Sequence, residues 1–179
     1  MSYQWGLRNL IEQPVRHRVF VSYQHSRDQV YYDTFSRTFH DTHEAVFDNS
    51  LERRIDSDDV DYVIRRIRED HIHGTSCTIV LVGAETWGRK YVDWEVKATL
   101  DKQHGLIGVQ LQTLPVHPVT NCVDVPIRLS ENIASGYALW VHWDQLTASS
   151  LALNAYIAEA KSRPASLIQN TRDRRLRNA

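Results

Sequence analysis

The apolar residues of this chain alternate between short continuous runs and stripes in which they recur every three or four residues. Residues 78–82 form a β-branched run followed by a glycine, which is typical of a strand buried on both faces. Val92, Val96 and Leu100 then recur every four residues and predict a helix from Tyr91 onward that buries this stripe. Glu95 lies on the flank of the stripe, so we expect its carboxylate at the edge of packed apolar surface. The same spacing turns three charged residues toward solvent: Asp93, Lys97 and Asp101.

Similar patterns predict the other elements of the fold. Apolar runs indicate strands at residues 18–23, 45–49, 105–111 and 137–142. Apolar residues three or four positions apart indicate helices over 30–39, 57–67 and 149–161, the first of them capped by Ser26 or Asp28. Because strands and helices alternate, parallel βαβ units with right-handed crossovers follow. We therefore expect an α/β fold, an open and mainly parallel sheet of about five strands with helices on both faces.

The length of the chain favours one domain. With 179 residues, 42% of them hydrophobic, it is long enough for one packed core and too short for two ordinary ones. We predict an N-terminal extension over 1–16, containing a short helix or lid, and a domain over 17–163. Prolines at 115, 118 and 126 make residues 112–136 an irregular connection, and the arginine-rich residues 164–179 are expected to be a mobile tail.

Charge and composition exclude several classes of partner. Twenty-one basic residues balance 22 acidic ones, so no general attraction to nucleic acid or to an anionic membrane is expected. No apolar run approaches the roughly 18 residues of a membrane helix, and no secretion signal is visible. The two cysteines, Cys77 and Cys122, lack a C-x-x-C arrangement, which together with the preceding points favours a reducing, cytoplasmic location. The nine histidines lack zinc-site spacing, so no metal is expected.

Several enzyme classes are disfavoured by motifs that the sequence lacks. No G-x-G-x-x-G or G-K-[ST] loop follows the first strand, the loop has no acidic cluster of a phosphoacceptor domain, and no G-x-S-x-G elbow is present. Polar residues do lie at the C-terminal ends of three successive predicted strands, and parallel strands bring these ends to one edge of the sheet. The pattern alone leaves two interpretations open, a binding site or solvated loops beside a glutamate on a helix flank. The residues are Ser22, Tyr23 and His25 at the C-terminal end of the first strand, Asp48, Asn49 and Ser50 at that of the second, and segment 85–95 at that of the third.

Four stretches of this sequence, taken together, resemble a known family. They are Arg18-Val-Phe-Val-Ser-Tyr, Val46-Phe-Asp-Asn-Ser-Leu, the segment from Gly74 to Trp87, and Tyr91-Val-Asp-Trp-Glu-Val. Their order and separations are similar to those of the TIR-like family, and more closely to the TIR-like subunit of Thoeris antiphage defence systems. The resemblance covers residues 17–111 and implies a flavodoxin-like sheet. In active members of this family, a glutamate in a W-x-x-x-E or W-V-x-x-E motif cleaves the nicotinamide glycosidic bond of NAD.

The resemblance implies a role for individual residues of this chain. Glu95 takes the place of the catalytic glutamate, with Tyr91 where the motif usually has tryptophan. NAD would be the substrate and no cofactor would be needed. We expect Tyr23, Trp87 or Trp94 to stack on a base or ring. The other residues are expected to position phosphate and ribose: Ser22, His25, Asp48, Asn49 and Ser50.

The resemblance also implies partners. A phage-derived protein would activate the enzyme, and an ADP-ribose-derived messenger, expected to be cyclic, would reach a separate effector. Homo-oligomer formation stays open. The alternative is an interaction or assembly module without catalysis, which the Tyr91 departure and the modest polarity of the first loop favour. Glu85 is the rival carboxylate, but it lies in a loop, whereas helix geometry fixes Glu95.

Overall fold

The computed structural model describes residues 17–46, 62, 66–67 and 72–179. Within this part of the chain, five parallel strands form one sheet. They are β1 (His17–Ser22), β2 (His43–Val46), β3 (Cys77–Val82), β4 (Gly105–Gln110) and β5 (Leu139–His142). Their spatial order is β2-β1-β3-β4-β5, and each neighbouring pair is parallel. The predicted parallel sheet of about five strands is confirmed.

Helices cover both faces of this sheet, as the alternation of elements predicted. We number the described α-helices α1 (His25–Phe39), α2 (Lys90–Asp101), α3 (Ile127–Ala134), α4 (Trp143–Leu146) and α5 (Ser150–Ser162). On one face, apolar residues of α1 and α5 such as Phe35 and Ile157 pack against Ile79 of β3. On the other face, Val96 of α2 and Leu129 of α3 join one core cluster with residues of β3 and β4.

Strand β3 is the centre of the core. All six of its residues are buried, and alternate side chains go to opposite faces, with Ile79 and Leu81 on one side and Val80 and Val82 on the other. The stripe predicted on α2 is buried as well, since Val92, Val96 and Leu100 are at most 2% exposed. Periodicity therefore predicted the correct faces for both elements.

The order of the strands defines where a ligand site is expected. The connection from β1 leads to β2 on one side, whereas β3 and the later strands lie on the other side of β1. Ser22, the last residue of β1, is in register with Val80 of β3 at this reversal. In open α/β sheets, ligands bind outside the carboxyl ends of the strands at such a switch point.

The structure corrects three details of the local predictions. The side-chain cap of α1 is Gln24, whose Oε1 accepts from the Arg27 amide at 2.6 Å, so neither Ser26 nor Asp28 has that role. The irregular connection predicted at 112–136 contains α3, because Pro126 precedes a helix as its N-cap residue instead of breaking one. Asp93 is not turned to solvent but is 6% exposed and paired with buried Arg128 at 2.9 Å.

The C-terminal residues also differ from the prediction of a mobile tail. Asn170 donates a hydrogen bond to Asp101, and the Arg175 amide donates one to Asp93, so this segment lies along α2. Its charged composition resembles that of a solvated tail, but buried polar groups of α2 and α3 supply it with partners. The predicted extension over 1–16 and most of the predicted helix over 57–67 lie outside the described residues.

Candidate functional site

The candidate site forms where β1 ends beside α2. Side chains alternate along β1, and Phe20 belongs to the core cluster that contains Trp94 and Ala98 of α2. Ser22, two residues later, points to the same face and reaches Glu95. Its Oγ donates a hydrogen bond to Glu95 Oε2 at 2.5 Å. Two residues that the sequence placed on separate elements therefore meet at the switch point of the sheet.

The Glu95 carboxylate is held in a largely buried position. Glu95 is 7% exposed and Ser22 is 1% exposed. A short hydrogen bond from a hydroxyl to a carboxylate is of the strong, charge-assisted kind. The Glu95 side chain is therefore oriented by the end of β1 as well as by its own helix.

The backbone at Glu95 is also tied to the sheet. Thr99 Oγ1 donates to the Glu95 carbonyl oxygen at 2.9 Å, one turn along α2. The same hydroxyl lies 2.7 Å from Thr78 Oγ1 of β3, and both threonines are buried. This pair of contacts fixes the distance between α2 and the central strand, which is the kind of support that a precise site requires.

Tyr23 and His25 lie together directly after β1. The Tyr23 ring stacks on Tyr32 with centroids 5.0 Å apart, and its Oη donates to Gln29 Oε1 at 2.9 Å. His25 Nδ1 lies 3.1 Å from the same Oη. Burial, followed by the neighbouring Tyr32, raises the pKa of Tyr23 above its ordinary value, with smaller contributions that include Glu95. The phenol therefore keeps its proton at neutral pH and is available as a neutral hydrogen-bonding group.

The three aromatic candidates on and before α2 occupy different environments. Trp94 is 3% exposed within the core, and its Nε1 donates to the Arg175 carbonyl oxygen at 2.9 Å. Its expected stacking on a ligand stays a prediction. Tyr91 is half-buried, packs edge-on against Trp94 at 5.2 Å, and lies under the Lys90 ammonium. Trp87 is 40% exposed and lines a recess with Ile127 and Arg175.

Asp48, Asn49 and Ser50 lie outside the described residues. Their expected role in positioning phosphate and ribose stays a prediction. The assigned contacts with substrate of Ser22, Tyr23, His25, Trp87 and Tyr91 stay predictions as well.

A second carboxylate, not singled out from the sequence, is buried beneath the loop after β3. Asp28 is 1% exposed and accepts a hydrogen bond from Thr86 Oγ1 at 3.3 Å. Gly83 adjoins it so closely that a Cβ there would lie 2.4 Å from Asp28 Oδ1. Burial raises the pKa of Asp28 to about 6, although the Thr86 hydrogen bond lowers it and Glu85 adds to the rise. A glycine directly after a buried strand was the signal in the sequence for this close approach.

Glu85, the alternative candidate for the catalytic carboxylate, forms ion pairs with two arginines. Arg27 Nε lies 3.1 Å from one of its carboxylate oxygens and Arg89 Nη2 lies 2.6 Å from the other. Its side chain is 40% exposed, compared with 7% for the whole of Glu95. Glu85 therefore joins the starts of α1 and α2 across a solvated surface, whereas Glu95 lies in a largely buried position.

Residues 17–46 and 72–179 contain neither a metal-binding cluster nor a membrane-spanning helix. In this range no three histidine, cysteine or carboxylate side chains lie close enough together to hold a metal ion. None of the described helices is long and apolar enough to cross a membrane.

A family model and a solved structure are similar to this chain. No curated protein sequence matches the chain at a significant level. Among solved structures, the chain is similar to the TIR domains of the activated Roq1 resistosome directly recognizing the pathogen effector XopQ, with 12% identity, 84% of each chain covered and a TM-score of 0.40. The family model described as Thoeris protein ThsB, TIR-like domain, matches residues 20–115, which include β3, α2, Ser22 and Glu95. This match covers more than half of the sequence, and the chain therefore belongs to the TIR-like domain family of the Thoeris protein ThsB.

Proposed function

We propose that this protein is an NAD-cleaving enzyme of bacterial antiphage defence, with Glu95 as the catalytic carboxylate. The observation that carries the proposal is the hydrogen bond of 2.5 Å from Ser22 to Glu95 at the switch point of the sheet. A buried carboxylate fixed at that point is suited to stabilise a developing positive charge. Membership of the ThsB family supports the assignment to phage defence.

The chemistry of NAD explains how one carboxylate can suffice. An ordinary O-glycoside needs a general acid for its leaving oxygen as well as a second carboxylate. The nicotinamide of NAD is already cationic, so the bond between its nitrogen and the ribose carbon breaks with the electron pair passing to nitrogen, and the base leaves neutral. Glu95 would stabilise the oxocarbenium character of the ribose and hold its hydroxyls.

The second half of the reaction determines the product. The ribose carbon forms a new bond to a water oxygen, which then loses a proton and gives ADP-ribose. Alternatively, a ring nitrogen or hydroxyl of the adenosine part attacks with loss of a proton and gives a cyclic isomer. We propose a cyclic ADP-ribose derivative that acts as a messenger to a separate effector, as the family resemblance implies.

Residues at the end of β1 and directly after it would assist in this reaction. Ser22 would orient the carboxylate, and Tyr23, whose hydroxyl proton is donated to Gln29, would accept a hydrogen bond from the substrate. The pairing of Tyr23 with His25 and Gln29 would hold the phenol in one orientation. A phage-derived protein would activate the enzyme, so turnover is expected to require that trigger.

A second candidate function is an interaction module without catalysis. The observation that favours it is the low exposure of Glu95, which is only 7% in the described state. Under this alternative the hydrogen bond to Ser22 would be part of the fold alone.

Mass spectrometry of small molecules from phage-infected cells separates the two functions. Cells that express the parent protein are compared with cells that express Glu95→Gln at equal abundance. The enzyme proposal predicts a new ADP-ribose derivative and free nicotinamide only with the parent. Defence that persists in Glu95→Gln cells without any NAD-derived product would favour the interaction module.

A further inference from the structure

The C-terminal segment contains a buried contact that the proposed reaction does not use. We call residues 169–179 the strap, because they lie across α2 and α3. Arg128 of α3 is fully buried, and its guanidinium lies between Asp93 of α2 and the strap. Through Asp93 this arrangement is connected to α2, the helix that carries Glu95.

All of the donor groups of Arg128 have partners. Its Nε and Nη2 donate to the two Asp93 carboxylate oxygens at 2.9 and 3.3 Å. Nη1 donates to Asn170 Oδ1 and to the Arg172 carbonyl, and Nη2 also donates to the Asp173 carbonyl, at 2.8 to 3.1 Å. The five donors of a guanidinium are thus divided between one helix and one segment of backbone. Removal of the strap would leave a buried cation with unsatisfied donors, so its docked position is strongly favoured.

The strap also completes the start of α2. Arg89 occupies the N-cap position of α2 and makes no side-chain capping bond. Asn178 Oδ1 instead accepts the Lys90 amide at 2.9 Å, and the Ala179 amide donates to the Gly88 carbonyl at 3.0 Å. Asn178, 88 positions away in the sequence, therefore accepts one of the first amides of α2, which have no partner within the helix itself.

The contacts of the strap reach the residues next to Glu95. Asp93 accepts the Arg175 amide at 3.0 Å, and Trp94 donates to the Arg175 carbonyl at 2.9 Å. Residues 90, 93 and 94 are thus all bonded to the strap, and they form the first turns of α2 up to the carboxylate. From these contacts we infer that the strap positions Glu95, and that Arg128 and Asn178 are positioning residues for it. This inference rests on the proposed function only in taking Glu95 as the catalytic group.

Two full-length variants test the inference. Asp93→Leu combined with Arg128→Met replaces the buried ion pair with apolar groups of similar size, a change that proteins often tolerate without loss of stability. Asn178→Ala removes only the hydrogen bond that Asn178 accepts from the Lys90 amide. It tests the inference even if the double variant does not fold. Asn154→Ala, at an exposed position of α5, is the matched control for the asparagine change.

Amide hydrogen exchange and limited trypsin digestion measure the strap directly, without any enzyme assay. We expect amides of residues 90–96 to exchange at least about tenfold faster in both variants, with amides of β4 unchanged. Trypsin should cleave the double variant after the strap arginines, Arg172, Arg174, Arg175 and Arg177, about tenfold faster than the parent or Asn154→Ala. Equal exchange over residues 90–96 in parent and variants, or equally rapid cleavage of the parent strap, would overturn the inference.

Turnover of NAD is the second measurement. Loss of the strap contacts would leave it unchanged if the strap had only a structural role. We expect kcat of both folded variants to fall, by about tenfold in the double variant, with KM nearly constant, since misplacement of a catalytic group lowers the rate. An unchanged kcat despite faster exchange in α2 would refute the positioning role. If the activated parent itself releases no nicotinamide, the proposed function fails, and hydrogen exchange alone decides whether the strap holds the first turns of α2.

Discussion

Ser22 Oγ lies 2.5 Å from Glu95 Oε2, although the two residues are 73 positions apart in the chain. Ser22 is the last residue of β1, and Glu95 is on the second turn of α2. Their contact is created by the parallel pairing of β1 with β3, which brings α2 over the end of β1. The hydrogen bond thus joins the two parts of the candidate site.

The first prediction concerns this hydrogen bond. Ser22→Ala removes the hydroxyl that donates to Glu95 Oε2, so the carboxylate should lose part of its fixed orientation and nicotinamide release should fall about tenfold or more. The free energy of unfolding should decrease by about 1–3 kcal/mol, because a buried charge loses a hydrogen bond. Ser130→Ala, at an exposed position of α3, is the control. Parental turnover by folded Ser22→Ala would contradict the orienting role of Ser22.

The second prediction is a pH dependence of stability that arises from Asp28. Its pKa rises from 3.8 to about 6 in the folded state, chiefly through burial. Between these values the folded protein holds a proton that the unfolded chain has released, so the contribution of Asp28 to stability is full below pH 4 and declines as the pH rises to 6. Above pH 6 Asp28 is deprotonated in both the folded and the unfolded state, so its contribution to stability has been lost and no longer changes with pH.

Asp28→Asn tests this sign, because asparagine does not titrate. Relative to the parent, the free energy of unfolding of Asp28→Asn should increase between pH 4 and pH 7 by roughly 1–3 kcal/mol. Urea denaturation of both proteins at several pH values measures the difference. A difference that stays constant with pH, or that changes in the opposite direction, would show that Asp28 has no raised pKa.

The third prediction uses the close approach of Gly83 to Asp28. A Cβ at position 83 would lie 2.4 Å from Asp28 Oδ1, so Gly83→Ala should destabilise the protein by about 1–3 kcal/mol. In the background of Asp28→Ala this obstacle is absent, and the same glycine substitution should cost much less. A double-mutant cycle measured by thermal unfolding gives the coupling energy, which we expect to be at least about 0.5 kcal/mol. Simple additivity of the two substitutions would contradict the contact.

Local patterns in the sequence correctly predict much of the fold. The continuous apolar run of β3 and the four-residue spacing of Val92, Val96 and Leu100 identified the right elements and the right buried faces, because burial imposes these periods. The same reasoning placed Ser22 at the end of a strand and Glu95 on a helix flank. It could not predict that the two would touch, since this depends on how β1, β3 and α2 assemble.

Other predictions differ from the structure because the charge of a residue does not indicate which distant residue it pairs with. The sequence predicts that Asp93 is exposed to solvent, because charged residues usually lie at the surface. In the structure Arg128, 35 positions later, forms an ion pair with it in the interior. The arginine-rich strap was predicted to be mobile because its side chains are polar. Its order depends instead on backbone groups that bond to Arg128, Asp93 and Trp94, and composition contains no information about these bonds.

Glu95, and not the nearby Glu85, is the proposed catalytic carboxylate. Glu85 is paired with Arg27 and Arg89 on a solvated surface, so its removal should affect turnover by less than about tenfold, chiefly through substrate affinity. Glu95 is buried and oriented by Ser22, and the loss of one essential electrostatic group typically costs 10²–10³ in rate, or about 2.7–4 kcal/mol.

The most direct test is nicotinamide release from NAD by purified parent, Glu95→Gln and Glu85→Gln under identical activating conditions, with lysate of phage-infected cells as the activator. Circular dichroism first establishes that all three proteins are folded. We predict that Glu95→Gln loses at least about a hundredfold in turnover while Glu85→Gln stays within about tenfold of the parent. Parental turnover by folded Glu95→Gln, or a larger defect in Glu85→Gln, would contradict the account.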